Sequence, residues 1–480
     1  MMSLDWGGIM VGRKQEIKTL DEVMSRNQGQ LVAVYGRRRI GKTYLIRKYF
    51  DNKFTFYHTG EANVGMKDQL LGFRDSLKEY GHDCALPTSW REAFHELRKL
   101  IEASSAGKKV VFIDEMPWMD TPRSKFLSAL ECFWNGWGSS RDDLVMIVCG
   151  SASTWIVNNI LKNHGGLHNR ITDQIHLLPF TLSECEELTK EMGLGMSRQE
   201  ICSLYMIFGG VAYYWGFLRK GESVAQNVDR LFFAENGKLR GEFDSMLSSL
   251  FKRDAGCRKM FAALSTKGIG ISRDELLGKT GMSDGKVFCQ TLDALEKCGF
   301  VRRYTAFGKK QRDSLYQLID CFSLFHLKFI APESNPDPQS WTSGISSREK
   351  DAWAGLAFER VCLLHVGQLK RALGIGGVRT GVCSWRHVAD DVYPKGAQID
   401  LLIDRADNVV NVCEMKFASG DYVLKKRESE NIDNRVLAFK TVTESPKSVY
   451  LTLVTTNGLV DNEYARKFQS VLSLDDLFRS

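Results

Sequence analysis

At 480 residues the chain is too long for one compact core, and its length suits roughly three domains. Hydrophobic residues make up 43% and charged residues 26%, which excludes disordered, collagen-like and coiled-coil chains. Lys and Arg number 65 against 58 Asp and Glu, a net charge of +7 that neither demands nor excludes a nucleic-acid partner. No stretch approaches the roughly eighteen apolar residues that span a bilayer. The start, Met1-Met2-Ser3-Leu4-Asp5-Trp6, lacks a basic segment followed by an apolar one, so a cytoplasmic chain with no membrane partner is expected. The twelve cysteines are scattered singly, with no Cys-x-x-Cys, and read as small buried hydrophobes in a reducing compartment. His164 and His168 are four apart, but Gly165 and Gly166 spoil the helix that a metal-binding pair would need.

In chain order, the first half alternates buried-strand runs with helical patterns. Leu31-Val32-Ala33-Val34-Tyr35, Val110-Val111-Phe112-Ile113 and Leu144-Val145-Met146-Ile147-Val148 are the strand runs, the signature of βαβ units and a parallel sheet. From about Ser183 to Lys252 the pattern is helical. Residues 256–320 read as helices and then a hairpin: Ser272 and Glu275 form a capping box, Ser283 can cap the next helix, and Gly299 stops it. Two strand candidates flank the turn at Phe307-Gly308-Lys309-Lys310. Pro332, Pro336 and Pro338 mark a linker, and a separate α/β unit begins near Glu349. The domains are therefore expected at 1–182, 183–252, 253–330, 349–480, with 331–348 as linker. All of the charge excess lies in residues 251–330, which hold 15 Lys and Arg against 8 Asp and Glu.

Gly36-Arg37-Arg38-Arg39-Ile40-Gly41-Lys42-Thr43 fits G-x-x-x-x-G-K-[ST], following a buried strand and opening a helix at Tyr44. Gly36, Arg39, Ile40, Gly41 and Tyr44 would form the cradle, whose backbone N–H groups curl round a phosphate at a helix N-terminus. Lys42 would reach the β- and γ-phosphates of ATP, and the Thr43 hydroxyl would ligate Mg²⁺. Asp114, ending the next strand, would hold Mg²⁺ through water, and Glu115 would polarise the attacking water as a general base. Ser151, after the strand at 144–148, is placed to sense the γ-phosphate. Arg170 could serve as an arginine finger, in cis or across a subunit boundary, or else be an ordinary surface cation.

These motifs, in this order, resemble the archaeal-type AAA+ ATPases of the STAND clade, in the architecture with a C-terminal nuclease-like domain. The likeness also rests on Met10-Val11-Gly12-Arg13-Lys14-Gln15-Glu16, Asp114-Glu115-Met116-Pro117-Trp118, Gly150-Ser151-Ala152, Pro179-Phe180-Thr181-Leu182 and Phe208-Gly209-Gly210-Val211-Ala212-Tyr213-Tyr214. The resemblance implies that Val11, Gly12 and Arg13 lie by the adenine. It implies an α/β fold: a P-loop AAA+ parallel sheet with a helical lid, a winged-helix domain and a restriction-endonuclease-like α/β domain. The family often has proline where this chain has Ala212.

Residues 256–320 look like the winged helix that the family usually carries. The recognition helix would run from Ser283 towards Lys297. The wing would bear Arg302, Arg303, Lys309, Lys310 and Arg312 among Tyr304 and Phe307, suiting phosphate contacts on DNA. The alternative is a regulatory lid on the nucleotide domain. Further on, Ala397–Asp404 and Val409–Phe417 read as neighbouring strands around the turn at Ala406-Asp407-Asn408. Glu414 and Lys416 would share one face, with Asp400 beside them. This resembles the PD-(D/E)xK nuclease superfamily, which implies Mg²⁺ or Mn²⁺ on Asp400 and Glu414, with Lys416 orienting water. Glu359, on the upstream helix, would join the same metal. Asp404 is an alternative acid, and Lys425 or Lys426 would add a phosphate contact. The expected function is an ATPase, in a homo-oligomer if Arg170 acts across subunits, that controls a DNA-cleaving domain. The rivals are a nucleotide-gated switch for a protein partner and a DNA-binding regulator with a non-cleaving scaffold.

Overall fold

Strand Gln30–Tyr35 (β1) carries a continuous apolar run because both of its faces are covered. Leu31 and Ala33 enter one core and Val32 and Val34 the other, as the period of two requires. A computed structural model describes residues 10–150, 153–161, 169–250, 255–332 and 337–479. The chain divides into two compact units, Met1–Pro179 with Lys297–Gly299, and Phe180–Glu296 with Phe300–Ser480.

In the first unit β1 lies in a sheet with Phe56–Thr59 (β2), Lys109–Asp114 (β3), Leu144–Gly150 (β4) and Asp173–His176 (β5). The order is β2-β3-β4-β1-β5 and every pair is parallel. Helices Lys14–Ser25 and Lys42–Tyr49 cover one face through Leu20, Val23, Leu45 and Ile46. Helices Met66–Glu79, Trp90–Ala103 and Phe126–Gly136 cover the other with Phe73, Trp90, Phe94, Phe126 and Trp134. Each such fully buried side chain contributes about 1.5–3 kcal/mol. The layering brings the carboxyl ends of β1, β3 and β4 side by side, where open α/β sheets place their ligands.

The second unit opens on helices Leu182–Glu191 and Arg198–Phe208, each begun by a complete capping box, Thr181 with Glu184 and Ser197 with Glu200. Two of the sequence motifs meet here. Phe180 N donates to Gly210 O at 2.7 Å, and a Cβ on Gly210 would fall 1.8 Å from Phe180 O. Only glycine allows that approach.

Strands Ile271–Ser272 (β6), Val301–Thr305 (β7) and Ser314–Leu318 (β8) form a small antiparallel sheet of order β6-β8-β7. Helices Ala255–Ser265, Arg273–Thr280 and Lys286–Lys297 precede its hairpin. Gly299, in the left-handed region at φ 74°, ends the last of them. Next in the chain come Thr380–His387 (β9), Ala397–Arg405 (β10), Val409–Lys416 (β11), Ser448–Thr455 (β12) and Ser470–Leu472 (β13). They make a mixed sheet ordered β13-β12-β11-β10-β9, parallel from β11 to β13 and antiparallel from β11 to β9. Helices Ser347–Leu364 and Lys426–Thr443 pack on it.

Two expectations need correction. The β7–β8 hairpin does not present all of its aromatic and basic residues to solvent. Tyr304 is buried among Trp385, Ile399, Leu402 and Phe439, and its hydroxyl bonds to Ser384 Oγ at 2.8 Å. Phe307 N donates to Ser384 O at 2.9 Å and its ring packs on Phe439. Arg302 lies over the Tyr304 ring and donates to Gln317 at 2.6 Å. The apolar rings gain more from joining the β9–β10 core than from a groove edge. Second, the segment read as a linker is packed in its described part. Trp341 is buried against Phe325, Phe329 and Trp353, and its backbone N–H is held by Asp229 at 2.7 Å.

Candidate functional site

The first site is built at the carboxyl end of β1. Gly36 has φ 150° and a Cβ there would lie 2.3 Å from Leu177 O, so the loop can leave the strand this closely only without a side chain. Gly41, at φ 95°, is the N-cap of helix Lys42–Tyr49. Between them Arg39 is left-handed at φ 70° and Ile40 is buried. Lys42 is buried and folds back, donating to Gly36 O at 3.1 Å and Arg37 O at 2.9 Å. Its ammonium thereby rings the loop from inside, where an anion seated on the loop would meet it. Tyr44 is half-buried on the first turn of the helix.

Thr43 Oγ1 donates to Asp114 Oδ2 at 2.7 Å across the ends of β1 and β3. Burial pushes the Asp114 carboxyl up, as does the neighbouring Glu115 charge, while hydrogen bonds from Thr43, Cys149 and the Glu115 N–H work against that rise. A hydroxyl and a carboxylate in contact, in a site that disfavours an uncompensated anion, fit a hard dication such as Mg²⁺. Thr43 and Asp114 would hold the ion, which would supply charge neutralisation beside the phosphates. Glu115 is left-handed at φ 46° and half-buried at the same strand end. β4 ends beside it: a Cβ on Gly150 would touch Pro117 at 2.7 Å, so the two motifs are in contact. Arg13 is buried, with guanidinium bonds to Leu178 O at 2.8 Å and Ile40 O at 3.1 Å. It therefore ties Val11 and Gly12 to the back of the phosphate loop. Arg170 is exposed on the turn before β5. Ser151 lies outside the described residues.

The second site sits at one end of the β10–β11 hairpin. The registered pairs run from Asp404 opposite Val410 to Leu401 opposite Cys413, which sets Asp400 beside Glu414. The pairing of β10 with β9 is irregular between Ile399 and Leu402, and such bulges re-aim side chains. Glu414 is buried and ion-paired with Arg435, while Lys416 Nζ lies 3.9 Å from its other oxygen. Asp400 Oδ1 accepts from Gln398 Nε2 at 2.7 Å. Glu359, on helix Ser347–Leu364, has its carboxyl pushed up to about 7, chiefly by burial and then by the Asp400 charge. Crowded acids of this kind are relieved by a cation. Glu359, Asp400 and Glu414 thus fit an oxygen-liganded divalent ion, once Glu414 turns from Arg435. Asp404, the alternative acid, is bound by Lys447 at 2.5 Å near the far end of the hairpin, roughly 13 Å along the strand. Lys425 and Lys426 are exposed at the start of helix Lys426–Thr443. An open groove of about 490 Å³ runs past Asp400, lined by Arg386, Gln398, Asn431, Asn434 and Arg435.

Sequence reasoning missed Arg435, Gln398 and Cys149. Arg435 comes from a helix with no motif of its own, and only the fold shows that it faces Glu414.

A parallel sheet with a glycine-bounded phosphate loop on β1 and an acid on β3 defines a P-loop ATPase. Residues 10–216 match the family described as an ATPase domain predominantly from Archaea. An uncharacterized protein of Methanocaldococcus jannaschii is 22% identical over 413 residues, 82% of this chain and 84% of that one. An uncharacterized ATP-binding protein of the same organism is 44% identical over 45 residues, 9% of this chain and 76% of that one. The Walker-type ATPase of Pyrococcus abyssi has a similar fold, with a TM-score of 0.50 at 18% identity over 67% of this chain and 96% of that one. Among the described residues no helix is long and apolar enough to cross a membrane.

Proposed function

We propose that ATP binding and hydrolysis in residues 1–182 control metal-dependent phosphodiester cleavage in residues 349–480, with nucleic acid, DNA in the first instance, as substrate. Residues 183–252 would form the lid, and 253–330 a winged helix. Lys42 would hold the β- and γ-phosphates, and Thr43 and Asp114 the Mg²⁺ site. Glu115 would take the proton of the attacking water, and Arg13 and Ser151 would report on the bound nucleotide. Arg170, being exposed, is free to act on a neighbouring copy in a homo-oligomer. The free cysteines, scattered singly and mostly buried, suit a cytoplasmic setting.

What carries the cleavage reading is the convergence of Glu359, Asp400, Glu414 and Lys416 at one end of β10–β11, beside a groove lined by two arginines and three side-chain amides. In that reading Lys416 orients a water whose oxygen bonds to phosphorus as the ester oxygen departs, and Mg²⁺ or Mn²⁺ on the carboxylates supplies charge neutralisation. The Glu414–Arg435 ion pair favours a second reading, a nucleotide-gated switch whose C-terminal unit binds without cutting. One experiment separates them. The purified protein is incubated with single- and double-stranded DNA and with RNA, with Mg²⁺ or Mn²⁺, with and without ATP, alongside Lys416→Ala and Lys42→Ala. Cleavage lost in Lys416→Ala and changed in Lys42→Ala supports the first reading. Intact substrates alongside ATP hydrolysis support the second.

A further inference from the structure

The loop after helix Met66–Glu79 carries His82 and Cys84, and helix Trp90–Ala103 carries Glu96. The imidazole, thiol and carboxylate converge, with ligating atoms all within 4.8 Å of one another. His82 Nε2 and Glu96 Oε2 are 2.7 Å apart, and all three side chains are half-buried, open enough for an ion to enter. The supports are rigid. Glu96 stands between the buried Phe94 and Leu97, its other oxygen is held by Lys99 at 2.8 Å, and the His82 backbone N–H bonds to Leu77 O at 2.9 Å.

We propose that His82, Cys84 and Glu96 form a zinc-binding site, with water in the fourth position. The donor set decides the metal. One sulfur, one nitrogen and one oxygen make a borderline-soft trio that suits Zn²⁺, whereas Mg²⁺ and Ca²⁺ prefer oxygen alone. Bond lengths of about 2.0–2.3 Å give tetrahedral edges of roughly 3.3–3.7 Å, so the trio closes on an ion with small side-chain movements. Binding releases the Cys84 thiol proton and replaces the His82–Glu96 contact with two metal bonds. The site belongs to the sheet face opposite helix Lys42–Tyr49, so it is separate from the phosphate loop. A bound ion would staple the turn at 80–89 to helix Trp90–Ala103.

The test uses the full chain, stripped with chelator and titrated with Co²⁺ in the absence of nucleotide. Cys132 and Cys289, the other cysteines that are not buried, are first changed to serine so that they cannot supply a sulfur ligand. One Co²⁺ per chain with a thiolate-to-cobalt charge-transfer band in the near ultraviolet, displaced by Zn²⁺, is the expected result. Ions bound by the carboxylates of the C-terminal unit give no such band. Cys84→Ser removes the band, and His82→Ala weakens Co²⁺ binding about tenfold or more while ATP hydrolysis persists. A missing band in the starting protein, a band that survives Cys84→Ser, or unchanged affinity in His82→Ala overturns the assignment. If Cys84→Ser fails to fold, the His82→Ala affinity alone decides.

Discussion

The hydroxyl of Tyr304, on β7, meets Ser384 Oγ, on β9, at 2.8 Å, and also donates to Ile269 O. One side chain thus joins the small hairpin sheet to the C-terminal sheet, eighty residues further along the chain. Tyr304→Phe keeps the ring in the core but leaves Ile269 O without its donor and the Ser384 hydroxyl without its acceptor. A loss of about 1–3 kcal/mol is expected, read as a lower urea midpoint of the second unit. In a double-mutant cycle with Ser384→Ala, coupling of about 0.5–1.5 kcal/mol is expected, and additive single effects would show that the bond does not hold the sheets together.

The Thr43–Asp114 contact yields a prediction about chemistry. Thr43→Ala removes both a ligand for the ion and the hydrogen bond that offsets the burial of Asp114. ATP turnover is expected to fall about a hundredfold or more, while Thr43→Ser, which keeps the hydroxyl, stays within about tenfold. Steady-state hydrolysis at saturating Mg²⁺–ATP measures this. Equal losses in both variants would place the hydroxyl outside the reaction.

The phosphate loop was legible because its demands are on the backbone. Gly36, where a Cβ would meet Leu177 O, and Gly41, at φ 95°, take backbone positions that favour glycine, and a glycine spacing shows directly in a sequence. Asp114 was legible as the acid ending an apolar strand. Three things were not. The Glu414–Arg435 pairing depends on how a 21-residue excursion returns, which no spacing rule encodes. A charge count cannot tell the exposed Arg303 from Arg302, whose guanidinium lies over the Tyr304 ring. The His82, Cys84 and Glu96 cluster escaped a search for paired cysteines because its third member lies on the next helix.

Three buried histidines set an acid limit. His58, His326 and His365 are each pushed down to about 4, chiefly by burial. His365 is fixed as neutral, accepting from Leu182 N at 2.9 Å through Nε2 while Nδ1 lies 2.8 Å from Val361 O and donates to it. A lowered folded-state pKa means that the unfolded chain takes up protons first as pH falls below about 6.5. The stability these groups contribute is therefore complete above pH about 6.5 and is lost on descent towards pH 4, by about 3 kcal/mol for each histidine. Thermal melts between pH 7.5 and roughly pH 4.5 should show this slope, and His365→Gln should flatten it. A melting temperature independent of pH across that window would contradict the buried, neutral state.

The charge excess of residues 251–330 gives the last prediction. Arg303, Lys309, Lys310 and Arg312 are exposed around the hairpin, whereas Arg302 is committed to Tyr304 and Gln317. If the hairpin contacts a phosphate backbone, each exposed cation contributes sequence-independent affinity and a share of the salt dependence. Alanine at Lys309 and Lys310 together should weaken binding to duplex DNA for all sequences alike and lower the slope of log K against log salt by about one to two. Arg302→Ala should act differently, lowering the unfolding midpoint while leaving that slope unchanged, because its guanidinium spans strands of the same small sheet. Fluorescence anisotropy across a salt series reads both. An unchanged slope in the lysine double variant would remove the hairpin from the nucleic-acid surface and leave the groove at Arg386 and Arg435 as its place.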